Sequence, residues 1–475
     1  MEQKRPRWVD KPEFDWTPQP PLPAEPPAPN DARFSTSDFN PANDTSRSSP
    51  LRLSLTRALD WFVVHAWHVA SRSGEAVRQF TLPDLTPRLT IGLGQGLFLS
   101  LLLFLRDQIT GNAGIMAGLI MATAFAPLAL VQGLDRIPLR PLLIWAGAVA
   151  LGLIGLGAYH AWRIAGAESD HAGLWLAAMI AIFLFIGQAL LLGQARSAPG
   201  PLRYAVLYES SWRLTVEILL CGLFALLVWS ACKFGSHLLA PQADSMPRWF
   251  AIPLTTFSFA AASQMRAGAL LHLLKRSAVI LSTATLPPLI LSATITILFG
   301  ALSHWQPSLL LCGLQGLLLV IGINASYRGG HEWRPLWRRY AEFLAACLLP
   351  PLALLGALAI QSRTAQYGFT GPRIIAMACM MLFIAYALTY AGAALLSLGG
   401  GRWMERIESV NLPMAFVVMS LIATLASPLG DPVRLAVANQ NWRMLHGRVA
   451  PEAFDYAYLR HSGLKFGRAV LEGQR

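Results

Sequence analysis

Imidazoles and carboxylates gather in three hydrophilic stretches of this chain: His160, Glu168, Asp170 and His171; then His237 and Asp244; then His304. Such groups together can bind zinc and activate a water molecule. Their spacing fits no HExxH-like motif, and the stretches lie far apart in sequence. No metal or other cofactor is therefore expected, and His160, His171 and His237 are the residues that would hold one if the stretches converged. A second constellation is "YRGGHEWRPLWRRY", residues 327–340, in which arginine alternates with tryptophan. Arginine clamps phosphate in a bidentate fashion and tryptophan settles at the lipid headgroup level. Arg334, Arg338, Arg339 and Trp337 thus either bind an anionic lipid or a phosphorylated lipid carrier, or simply form a loop that sets topology. No Walker, GxSxG or kinase motif is present, and "GLGQG" (92–96) lies inside an apolar run, where close helix packing is expected rather than nucleotide binding.

The elements that must position these residues are greasy. The 475 residues are 54% hydrophobic and only 13% charged, against about 25% charged in soluble proteins. Many apolar runs reach the roughly 17–25 residues that span a bilayer. Eleven spans are predicted: 89–105, 113–132, 142–159, 172–193, 215–239, 248–264, 278–301, 308–325, 341–361, 373–397 and 411–428. The hydroxyl-rich 248–264 is the weakest, and the pairs Pro287–Pro288 and Pro350–Pro351 should kink their helices. The expected fold is all-α: a polytopic membrane helix bundle closed by a C-terminal helical hairpin. Residues 1–50 are Pro-rich and read as a disordered cytoplasmic tail without a cleavable signal. Residues 51–88 fit an amphipathic helix at the membrane interface, 89–428 the bundle, and 429–475 the hairpin.

The net charge of +12 would point to nucleic acid in a soluble domain. Here the basic residues occupy loops, so membrane lipids are the expected partners and nucleic acid is not. With the N-terminus in the cytoplasm, the inner loops hold fourteen basic residues, from Arg136 to Arg406, and the outer loops five, from Arg106 to Arg373. That bias satisfies the positive-inside rule and puts the C-terminus outside the cytoplasm. Charge at mid-span is nearly absent. Glu217, Glu342 and Lys233 sit near span ends, from which they can snorkel to water, and the lack of a mid-depth carboxylate argues against an ion-coupled transporter. Gln95, Gln188, Gln315 and Asn324 read as polar glue between helices.

The segment "DPVRLAVANQNWRMLHGRVAPEAFDYAYLR" (431–460) breaks this pattern. Asp431 suits an N-cap and Pro432 the first helical position. Leu435, Ala438, Trp442 and Leu445 follow at helical steps and predict a buried stripe. Gly447 suits a left-handed residue past the helix end, and a second helix is expected from about Pro451. In sum the pattern is Asp431, Pro432, Arg434, Val437, Gln440, Gly447, Pro451, Phe454, Asp455, Tyr456, Tyr458, Leu459 and Arg460. It resembles the C-terminal signature of a bacterial membrane-protein family catalogued only as a domain of unknown function, number four-one-five-three. "YGFTGPR" (367–373), with Tyr367, Gly368, Thr370 and Arg373, is similar to a second motif of that family. Ala436 departs from it, standing where the family pattern has a serine.

The resemblance implies a bacterial inner-membrane protein and a structural or docking role for these residues, but no activity. The expected function is a non-enzymatic envelope scaffold or partner-binding subunit with lipid contacts, possessing an envelope protein partner. The alternatives are a transporter or flippase for a hydrophobic or lipid-linked substrate and, further off, membrane-embedded transfer chemistry at the outer histidines or the inner arginine loop.

Overall fold

The computed structural model describes residues 82–108, 113–165, 172–198, 200–239, 247–263, 268–302, 308–325, 327, 335–397 and 403–473. The predicted tail, nearly all of the interfacial segment 51–88, and the site candidates His171 and Arg334 lie outside them. All regular structure among the described residues is helical. The bundle comprises α1 (Leu82–Gln108), α2 (Ala113–Gly133), α3 (Leu139–Ile164), α4 (Ala172–Ser197), α5 (Tyr204–Leu239), α6 (Arg248–Ala262), α7 (Gly268–Leu302), α8 (Leu309–Ala325), α9 (Leu336–Tyr367), α10 (Gly371–Leu396) and α11 (Trp403–Ala426). Each matches one predicted span. Nine are long and apolar enough to cross a membrane, and α6 and α8 are shorter apolar helices.

Five helices begin at least five residues before their predicted spans, and three of them exceed 30 residues. α5 has 36 residues and α7 has 35, about 53 Å each at 1.5 Å per residue. That exceeds a hydrocarbon core of about 30 Å, so their first turns project from it and can carry charge. α9, with 32 residues, does the same. Both α7 and α9 run through their proline pairs as single helices.

Helix directions are legible from their contacts. Arg88 of α1 meets Ser263 just past α6, and a Cβ on Gly92 or Gly96 would strike Ala260 or Pro253 respectively. The two helices are therefore antiparallel, and the "GLGQG" stretch is where their backbones meet. Gln315 of α8 donates to Ser292 and Thr296 of α7, while Gly322 faces Leu286, again antiparallel. α8 runs parallel to α10, with Gly316 against Phe383 and Asn324 against Tyr390. The largest core cluster joins α7 to α11 around Leu319, Ile323, Leu349, Leu352 and Tyr390.

The glue glutamines behave as expected. Gln95 donates to the Ala124 carbonyl, and Gln188 donates to Ala129 while accepting from Trp145. Of the two acidic residues expected to snorkel, one is buried in an ion pair and the other forms a partly exposed one. Glu342 is fully buried against Arg338, and Glu217 pairs with Arg136. A carboxylate already matched by a neighbouring arginine has no need of water.

Candidate docking site of the C-terminal segment

After α11 the chain turns back over the bundle through α12 (Pro432–Leu445), a 3-10 turn (Pro451–Ala453), α13 (Tyr456–His461) and α14 (Leu464–Gly473). The first arm of the hairpin thus begins where expected, with Asp431 as N-cap and Gly447 at φ +63° after its end. The return arm is three short pieces rather than one helix. Phe454 stays extended, and Asp455, not Pro451, caps the helix that follows, accepting from the Tyr458 amide at 2.8 Å. Val437, Phe454 and Leu459 form its small core.

The expected stripe is not the buried one. Leu435, Trp442 and Leu445 are 40%, 48% and 70% exposed, whereas Pro432, Ala436 and Val437 are buried. The helix docks by small and polar residues, and leaves its large apolar ones outward. Ala436, the departure from the family pattern, has no exposure at all, so a hydroxyl there would need a partner inside the dock.

Four donors converge on the fully buried Asp431. Oδ2 accepts from the Tyr159 hydroxyl at 2.7 Å and the Arg163 guanidinium at 2.8 Å, both from α3; Oδ1 accepts from the amides of Val433 and Arg434 at 2.8 and 3.2 Å. Burial alone would raise its pKa, but the Tyr159 and Arg163 hydrogen bonds and the Arg163 charge outweigh it, holding the carboxyl below its ordinary value. Arg434 itself turns back to the Leu429 carbonyl.

Gln440 and Tyr458 of the signature meet the second motif on the α9–α10 turn. Gly368 has φ +71° and ψ −173°, a region open essentially to glycine. Gln440 donates to the carbonyls of Tyr367 and Phe369, Asn439 accepts from the Phe369 amide, and Arg443 reaches the carbonyls of Thr364 and Gln366. Tyr458 accepts from the Gly371 amide at 3.1 Å. Arg373 donates to the Gly368 carbonyl and lies over the Tyr367 ring. Thr370 precedes α10 without a capping bond from its side chain. Phe466 and Lys465 of α14 cover Trp162 of α3, and Arg468 reaches the Ala165 carbonyl. Tyr159, Asn439 and Arg443 were not singled out in the sequence. Arg163 is one of the five basic residues that the positive-inside count assigns to outer loops.

One segment therefore touches the C-terminal ends of both α3 and α9, which must share a face. Six helices lead from one end to the other, so α6 and α8 either both traverse the bundle or both turn back. α6 lies antiparallel to α1 and α8 parallel to α10, as the alternating order of the longer helices requires.

Elsewhere the site candidates separate. Arg338 is buried, bonded to Glu342, Ser282 and Thr283. It joins α9 to α7 and is not open to a lipid headgroup as expected, while Trp337 and Arg339 remain exposed. His160 is buried at the end of α3 and His237 is exposed at the end of α5. Among the described residues no group of three or more His, Cys, Asp and Glu could hold a metal. Asn324, read as polar glue, belongs to a polar cluster whose other members carried no sequence signal: Asn411 donates to Tyr204 and Asn324, and Tyr390 donates to Asn411 at 2.6 Å. It ties α5, α8, α10 and α11 together.

No family model, curated protein or solved structure matches the chain. What the helices define is a multi-pass integral membrane protein.

Proposed function

We propose that this protein is a non-enzymatic scaffold of the bacterial inner membrane, with eleven spans and residues 431–473 on the extracytoplasmic face, where they bind an envelope protein. Membership of the family it resembles is part of the proposal. The carrying observation is the division of labour in α12. Its polar residues are spent on helix ends of the same chain, while Leu435, Trp442 and Leu445 point away from the dock. A docked helix that keeps an outward apolar stripe has the form of a partner-binding element.

Paired alkaline-phosphatase and fluorescent-protein fusions after Arg475 test the orientation, and a photo-crosslinking residue at Trp442 tests the stripe. Phosphatase activity and a discrete protein adduct are expected. Fluorescence without phosphatase activity would place the segment in the cytoplasm and overturn the reading.

A further inference from the structure

Beside the dock, two cavities abut, sharing Leu156, Tyr159, Met179 and Ala426. The larger, about 480 Å³, is an apolar groove between α3, α4 and α11, floored by Gly152 and Gly155. The smaller, about 260 Å³, lies at the end of α3 and is lined by His160 and Arg163, with Pro432 and Val433 of α12 on its wall. His160 is only 7% exposed, yet among the described residues its Nδ1 has no hydrogen-bond partner, and neither has Nε of Arg163. A buried polar atom without a partner is costly unless a ligand satisfies it. Among the described residues at this junction, Arg163 and the backbone amide of Arg434 both meet the carboxylate of Asp431. An apolar slot running into a small pocket that presents an imidazole and a guanidinium has the shape and polarity of an amphiphile.

The geometry points to a binding site for one anionic phospholipid, with an acyl chain in the α3/α4/α11 groove and its phosphate at Arg163 and His160. The groove belongs to membrane-spanning helices, so hydrocarbon chains are what surround it. The phosphate accepts from the free guanidinium edge of Arg163 and from the imidazole. Because Arg163 also holds Asp431 and α12 walls the pocket, the lipid completes the same junction that docks the C-terminal segment. The inference rests on the docking reading above for that coupling, but not for the binding itself.

The test is native mass spectrometry of the full chain taken from nanodiscs containing equal phosphatidylglycerol and phosphatidylcholine with identical acyl chains. One retained phosphatidylglycerol per protein is expected, several-fold over phosphatidylcholine. A Cβ at Gly152 or Gly155 meets nothing within 4 Å, so the double variant Gly152→Leu/Gly155→Leu fills the groove without a clash and should lose the lipid. Gly222→Leu, equally open but on α5, should keep it. Equal retention of the two lipids, retention in the double glycine variant, or loss in Gly222→Leu would mean merely surrounding lipid and overturn the assignment. Protease resistance of residues 431–473 in the same samples tells the two readings apart. Lipid loss with an intact dock concerns the groove alone, and a freely cleaved wild-type segment would refute the dock whatever lipid is bound.

Discussion

The buried carboxylate of Asp431 and the guanidinium of Arg163 lie 2.8 Å apart, although 268 positions separate them in the chain. Asp431 simultaneously caps α12, so one side chain both starts the C-terminal segment and fastens it to α3. The second fastening, on the α9–α10 turn, uses side chains that bond to main-chain groups.

Asp431→Ala should therefore release the segment. Removing one member of a buried ion pair costs about 3–5 kcal/mol, and the N-cap is lost with it. Limited proteolysis should cut residues 431–473 in the variant and spare them in the wild type. Asp431→Asn, which can still cap, should retain part of the protection.

The dock should also open in acid. The Asp431 pKa in the folded protein is depressed below its ordinary 3.8. Its stabilisation is thus complete above that value and lost as pH falls through the lower, folded one. Cleavage of the segment by an acid-active protease should be slow at neutral pH and rise below about pH 4.

Gly368→Ala should cost about 1–3 kcal/mol, since the new Cβ must occupy backbone space that only glycine uses freely. It would also press on Gln440 and Arg443. The thermal midpoint should drop and the dock loosen without any change in membrane insertion.

Trp442→Ala should change stability by no more than about 1 kcal/mol. The ring is 48% exposed, and its stacking partner is His446, the residue that caps the same helix. A larger loss in thermal unfolding would restore the buried-stripe reading.

Arg338→Met should lower the thermal midpoint, because it removes the ion pair with Glu342 and the bonds to Ser282 and Thr283; Arg338→Met/Glu342→Leu should recover part of the loss. Thermal midpoints of the wild type, the two single variants and the double variant measure that coupling.

All eleven bundle helices were legible in the sequence because each is an apolar run long enough to stand out. Their N-terminal extensions were not: Glu209, Arg213 and Lys275 satisfy one another across α5 and α7, which lets those helices continue past the apolar run. The dock was legible as a list of residues, since Asp431, Gly368, Gln440 and Tyr458 all take part. Which face of α12 docks was hidden, because periodicity finds apolar stripes and here the binding face is Ala436, Val437 and polar groups aimed at carbonyls. The buried Arg338 was misread for a related reason: an arginine next to exposed Trp337 looks like a headgroup contact until Glu342, one turn on, is seen behind it.

The reach of Asp431 back to α3 has a consequence for biogenesis. A ribosome adding about 5–20 residues per second needs on the order of 10–50 s to travel from Arg163 to Asp431. Throughout that interval the end of α3 waits, its arginine lacking the carboxylate that will neutralise it. Eight further helices are laid down meanwhile. Insertion and final closure are thus separated in time, and a translational stall in the last helices would leave a bundle that is fully threaded but unlatched.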